Sequence, residues 1–210
     1  MTTGDSDIAG VLLAGGLSRR MGGGDKGLLR FGDGTMLGHV MARFAPQVGR
    51  LVLNANGDPA RFAAFGLPVV ADTIDGNVGP LAGVLAGMRW AREHTHATFI
   101  ATASTDAPFL PRDLVVRLRQ VAQGNPGGIA IARSGGHLHP VIGLWPVAHH
   151  DDLEAALKDD GIRKVLRWTD RHGTLPVDFA DLEIDGKTID PFFNANTPDE
   201  LDEARRLIES

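Results

Sequence analysis

The stretch from Val11 to Leu29, VLLAGGLSRRMGGGDKGLL, gathers on one short segment the groups that hold phosphate. Gly15, Gly16, Gly22, Gly23 and Gly24 lack the Cβ that would stop backbone N–H groups from turning toward one point and cradling phosphate oxygens. Arg19, Arg20 and Lys26 place three cations within eight residues of a chain whose net charge is −5. Such a cluster suits a polyanion, of which a nucleoside triphosphate is the simplest. A solvated surface loop would explain the glycines, but neither the cations nor the apolar run Ile8–Leu13 that precedes them.

Three kinds of phosphate loop compete for this segment. A Walker loop needs Gly-Lys followed by Ser or Thr, whereas Lys26 stands between Asp25 and Gly27. Gly22, Gly24 and Gly27 satisfy the dinucleotide fingerprint, but that motif belongs at the end of a strand and here starts nine residues past Leu13. The third pattern, LAGG-x-S-x-R-M-G-x-x-DK, is met from Leu13 through Lys26. On that segment the chain resembles the molybdenum cofactor guanylyltransferase family, which transfers GMP from GTP to molybdopterin. The resemblance implies that Leu13, Ala14, Gly15, Gly16 and Lys26 hold the nucleotide, with Arg20 and Lys26 catalytic.

Asp106, in ATASTDAPFLP, is the best metal candidate, because a carboxylate at a strand end facing phosphates is what Mg²⁺ takes up together with phosphate and water oxygens. The family has a similar aspartate close before proline that holds the metal, so the resemblance implies that Asp106 is also catalytic and nucleotide-binding. Ala103-Ser104-Thr105 departs from the Pro-Cys-Asp of many relatives, while the aspartate is kept. Asn54 and Asp72 match family positions that contact the nucleoside, and guanine's N1–H and amino donors suit an amide or a carboxylate. Gly79 opens a Gly-Pro-Leu-Ala-Gly segment like that of the family. Asn194 and Asn196 match an N-x-N-T-P segment that lines the acceptor side, and Arg163 matches a basic position that meets the acceptor. The histidine pairs His137/His139 and His149/His150 read better as a cleft-side His-Pro element and a helix entrance than as zinc ligands.

Alternating strand and helix patterns must position these groups. Strands are expected at Ile8–Leu13, 28–31, Leu51–Asn54, 67–70, 97–102, Ile129–Ala132 and 138–145. Helices are expected from Thr35 through Phe44, from Pro80, from Pro111 with Leu114, Val115, Leu118 and Val121 as its apolar side, over 151–158, over 161–171, and after the Thr197–Glu200 capping box. Asp178–Asp190 reads as a solvated acidic connection. The order implies an α/β fold with a mostly parallel sheet, and the family resemblance makes it a three-layer α/β/α Rossmann-like nucleotidyltransferase fold. Ligands in such sheets sit beyond the carboxyl ends of the strands, which puts the Leu13–Lys26 loop, Asn54, Asp72 and Asp106 on one rim.

At 210 residues and 43% hydrophobic content, one domain is expected, with 1–7 flexible, about 8–110 binding nucleotide and about 111–210 binding the acceptor. An acidic balance without a basic face argues against nucleic acid, and the absence of cysteine excludes thiolate chemistry. No apolar run approaches the ~20 residues of a membrane span, so a cytoplasmic protein is expected. The resemblance implies GTP, molybdopterin or Mo-molybdopterin, Mg²⁺, and partner proteins from cofactor biosynthesis or molybdoenzyme maturation. Two other readings stand beside it: transfer from CTP or another triphosphate to molybdopterin or to a sugar or lipid phosphate, and a non-catalytic cofactor-binding adaptor.

Overall fold

Strand β1 (Asp5–Leu13) alternates its side chains between two cores. Ile8 and Leu12 pack into one of them and Ala9, Val11 and Leu13 into the other, as the period-2 geometry of a strand buried on both faces requires. The computed structural model describes residues 5–14, 25–76, 78–125, 127–195 and 197–208. The remaining elements are β2 (Arg30–Phe31), β3 (Gly34–Thr35), α1 (Met36–Phe44), β4 (Val48–Asn54), β5 (Val69–Val70), α2 (Pro80–His94), β6 (Phe99–Ser104) and α3 (Leu114–Gln123). They are followed by β7 (Ile129–Ser134), β8 (His137–Pro146), α4 (His150–Lys158), α5 (Val165–His172), β9 (Thr174–Asp178), β10 (Leu182–Ile184), β11 (Lys187–Ile189) and α6 (Pro198–Ile208).

Seven strands form the central sheet in the order β5-β4-β1-β6-β8-β7-β9. Every pairing is parallel except those of β8, which runs against both β6 and β7. Leu37, Val40 and Phe44 of α1 and Leu114, Val115 and Leu118 of α3 cover one face. Leu81, Val84, Leu85 and Met88 of α2, Leu153 and Leu157 of α4, and Trp168 of α5 cover the other. The expected mostly parallel, three-layer α/β/α architecture is the observed one. A third apolar cluster joins Phe31, Met36 and Phe109 to Leu201, Ala204 and Leu207 of α6.

The caps form as their sequences dictate. Thr35 Oγ1 accepts from Gly38 N at 3.2 Å at the start of α1. At α6, Thr197 N donates to Glu200 Oε2 at 2.8 Å, and Glu200 N donates to Thr197 Oγ1 at 3.3 Å.

Five local expectations need correction. Strand β1 begins at Asp5, so 5–7 belong to the sheet, and 1–4 lie outside the described residues. Leu28 closes a 3₁₀ turn (Lys26–Leu28), and the extended piece is confined to Arg30–Phe31. Pro111 forms a turn before α3, where Ala122 is buried and Val121 lies exposed. The helix expected over 161–171 starts only at Val165, because Gly161 takes φ +63° and the chain stays irregular through Lys164. Asp178–Asp190 is structured: Asp185 and Gly186, with φ 54° and 71°, make a two-residue turn between β10 and β11. Strand β9, not foreseen, carries Pro176 on the sheet edge, where a missing N–H is tolerated.

Gly143, at the crossing of β8 with β7, leaves no room for a side chain. An added Cβ would lie 2.6 Å from the Ala130 carbonyl oxygen and 2.7 Å from Ile131 Cδ1. Gly143→Ala is therefore expected to cost about 1–3 kcal/mol by overpacking. For a chain of this size each kcal/mol lowers Tm by about 2–4 °C. A melting curve superimposable on the parent's would contradict this packing.

Candidate active site

Strands β1, β4 and β6 end side by side: Leu13 is in register with Asn54 on one flank and Ser104 on the other, and Asn54 with Val70 of β5. The connections leaving these strands are thus forced onto one rim. Ala14 N donates to the Asn54 carbonyl at 2.9 Å and Thr105 N to that of Leu13 at 3.3 Å, binding the rim together just beyond the sheet.

On this rim Lys26 Nζ stands 3.6 Å from Asp106 Oδ2, with both side chains largely buried. The backbone around Lys26 is pinned by Leu28 N to Asp25 O and Leu29 N to Lys26 O, each 3.0 Å. Gly27 is buried so closely that a Cβ would come within 3.3 Å of both Leu37 and Thr105. Asp106 is held from the other side, its Oδ1 accepting the Ser104 hydroxyl. The Ser104 hydroxyl therefore orients the carboxylate. Ala14, Asp25, Lys26, Gly27, Leu37, Phe62, Thr105 and Asp106 line a cleft here.

A second group sits at the ends of β4 and β5. Buried Asn54 donates through Nδ2 to Asp72 Oδ1 at 3.0 Å and to the Val70 carbonyl at 3.2 Å. Its Oδ1 is pressed against α2, where a Cβ on Gly83 would come within 2.3 Å of it. That contact explains the second glycine of the Gly-Pro-Leu-Ala-Gly segment. Gly79, at φ 81°, turns the chain into α2 ahead of Pro80. Arg61 links the two groups, pairing through Nε with Asp25 Oδ2 at 2.7 Å and donating through a terminal nitrogen to the Asn56 carbonyl.

Sequence reasoning missed Asn56 and Arg61, and the contacts that Gly83 and Ser104 make. Arg61 follows Pro59 on a 3₁₀ stretch, and only the closed fold brings it to Asp25.

The residues matched to the acceptor separate. Ala195 N donates to the Asp106 carbonyl at 3.4 Å, so the Asn194–Ala195 segment lies beside the Lys26–Asp106 pair. Arg163 is exposed on the irregular run before α5 rather than on the helix itself, donating to the Leu157 and Ile162 carbonyls. Its own carbonyl lies 3.6 Å from where a Cβ of Gly79 would be, on the Asn54 side. Gly15, Gly16, Arg20 and Asn196 lie outside the described residues, as do Arg19, Gly22, Gly23 and Gly24.

His139, His149, His150 and His172 are engaged in the fold. His139 Nε2 meets Ser134 Oγ at 2.6 Å, and that hydroxyl also donates to Asp190 Oδ1 at 2.8 Å. Burial pushes the His139 imidazole below its ordinary range against the opposing pull of Asp190, and His137 lowers it further. His149 contacts the Gly127 carbonyl, and His172 pairs with Asp152. Among the described residues no three or more His, Asp or Glu side chains form a metal cage. No helix among them is long and apolar enough to cross a membrane.

Residues 10–174 match the family model described as a MobA-like NTP transferase domain. A molybdenum cofactor guanylyltransferase from Mesorhizobium japonicum is 51% identical over 204 residues, which span 97% of each chain. The crystal structure of molybdopterin-guanine dinucleotide biosynthesis protein A from Archaeoglobus fulgidus superimposes with a TM-score of 0.72 at 22% identity, covering 96% of this chain and 98% of that one. A Mycobacterium tuberculosis protein solved in complex with manganese gives 0.66 at 22% identity, covering 96% and 98%.

Proposed function

Because the chain belongs to the family of MobA-like NTP transferases, we propose that it is a molybdenum cofactor guanylyltransferase, moving GMP from GTP onto the phosphate of molybdopterin with release of pyrophosphate. The observation that carries the residue assignment is the convergence of Lys26 and Asp106 on the rim where the Leu13–Lys26 loop begins and ends. In this reading Leu13, Ala14, Gly15, Gly16, Asn54, Asp72 and Gly79 hold the nucleotide, and Arg163, Asn194 and Asn196 meet the acceptor. Residues 8–110 serve the nucleotide and 111–210 the acceptor, with the Arg163 carbonyl beside Gly79 where the two parts touch.

The reaction brings two anions together. A phosphate monoester is mostly dianionic near neutral pH, its second pKa being about 6, so the attacking oxygen needs no general base. What the protein must supply is cancellation of charge and alignment. Lys26 offers its ammonium to the phosphate tail, Arg20 its guanidinium, and the glycine loop its amides. The Asp106 carboxylate, oriented by Ser104 and without a cage of other carboxylates among the described residues, would hold Mg²⁺ jointly with the triphosphate. When bound, that ion supplies a Lewis acid on the phosphate oxygens. A cytoplasmic setting, and acceptor delivery by cofactor-biosynthesis or molybdoenzyme chaperone proteins, belong to the same reading.

The test is pyrophosphate release from GTP, CTP or ATP with Mg²⁺ and molybdopterin. Release with GTP alone is expected; release with CTP in its place would shift the assignment to a cytidylyltransferase, and binding of molybdopterin without turnover would indicate an adaptor.

A further inference from the structure

Asp72 is held on the rim at both its carboxylate and its main chain, and most of that hold comes from a residue outside the matched set. Asn56 Nδ2 donates to Asp72 Oδ2 at 2.8 Å, and Asp72 N donates to Asn56 Oδ1 at 2.9 Å. One amide thus pairs with both the side chain and the main chain of a single residue. That double link selects one rotamer for a carboxylate that would otherwise sample several. Asn54 Nδ2 fixes the second oxygen at 3.0 Å. The brace is itself anchored: Arg61 donates to the Asn56 carbonyl and pairs with Asp25, the residue before Lys26.

The two amides play different parts. Asn54 is buried, with its carbonyl wedged against Gly83 and its NH₂ shared between Val70 and Asp72. Asn56 is exposed and Asp72 half-buried, so this pair faces outward. An ionised carboxylate has about four acceptor positions, and the two asparagines take two of them. The remaining pair, held at a fixed orientation, matches a ligand with two adjacent donors. A guanosine nucleotide has two such pairs, N1–H with the 2-amino group on the base and the 2′,3′-diol on the ribose.

We infer that Asn56 is a positioning residue for nucleoside recognition, holding Asp72 as a two-point acceptor for one of these donor pairs. The inference rests on the assignment of Asp72 to the nucleoside. It makes binding depend on a residue that does not itself need to touch the ligand. It also separates the roles on the rim, since Asn56 acts on GTP capture and not on the chemistry at Lys26 and Asp106.

The test is steady-state guanylyl transfer by the full chain and by Asn56→Ala with GTP, ITP (no 2-amino group) and 2′-deoxyGTP. Asn56→Ala is expected to raise KM for GTP about tenfold, the loss of one or two hydrogen bonds, with kcat within twofold. The penalty should shrink for the analogue lacking the donor that Asp72 reads: ITP if the base is read, 2′-deoxyGTP if the ribose is. An equal penalty on all three substrates, or none, overturns the inference. Failure of the parent protein to turn over GTP would instead overturn the functional assignment. Asn56→Asp gives a second, near-isosteric readout: it keeps an acceptor for Asp72 N but sets a like charge against the Asp72 carboxylate in place of a donor, so KM for GTP should rise at least as far as in Asn56→Ala. A KM equal to the parent's would count against positioning.

Discussion

Asp106→Asn is expected to lower guanylyl transfer by about a hundred- to a thousandfold, the ~2.7–4 kcal/mol that one charge-stabilising contact typically contributes to a transition state. Asparagine keeps the shape and can still accept from Ser104, so the fold and the segment contacting the Asp106 backbone are retained. What disappears is the negative charge on Oδ2, the oxygen that faces Lys26. A hard divalent cation prefers an anionic oxygen to an amide carbonyl. The deficit should therefore appear chiefly in kcat and require more Mg²⁺ for half-saturation, with Tm close to the parent's. Pyrophosphate release at saturating GTP across a Mg²⁺ titration measures both. Activity within threefold of the parent at every Mg²⁺ concentration would remove Asp106 from the assigned role.

How much of this site was legible in the sequence depends on how local its causes are. The strand running into a glycine-rich loop with Lys26, and Asp106 just past another strand, are readable because each follows an apolar run that must be sheet core. Parallel topology then puts such ends on one rim. The helix starts at Thr35 and Thr197 were equally readable, since a cap is a matter of four consecutive residues. Long-range closure was not. Arg61 reaches Asp25 only because the chain after β4 folds back, and Asn56 meets Asp72 only because β4 and β5 pair. Strand β9 escaped notice because Pro176 breaks its pattern, a cost that vanishes at an edge. The β10–β11 hairpin was hidden by acidic residues around an Asp185-Gly186 turn, whose positive φ values are the actual signal. Arg163 was matched to the acceptor by position, and only the fold shows that its carbonyl lies beside Gly79.

Lys26→Ala should produce a loss similar to that of Asp106→Asn, for a complementary reason. The ammonium is carried on a 3₁₀ turn whose backbone is fixed by two hydrogen bonds and by the tight burial of Gly27 between Leu37 and Thr105. It thus starts from a defined point on the cleft wall and needs little reorganisation to meet phosphate oxygens as charge builds on the leaving pyrophosphate. Lys26→Arg keeps the charge but spreads it over a planar fork too large for the same position, so it should restore only a small part of the activity. Because Lys26 and Asp106 are assigned to the same phosphates, their effects should not add. The double variant Lys26→Ala/Asp106→Asn is expected to be no more than about tenfold worse than the weaker single variant. Multiplication of the two losses would mean that the groups act at separate steps, and the shared grip on the triphosphate would have to be abandoned.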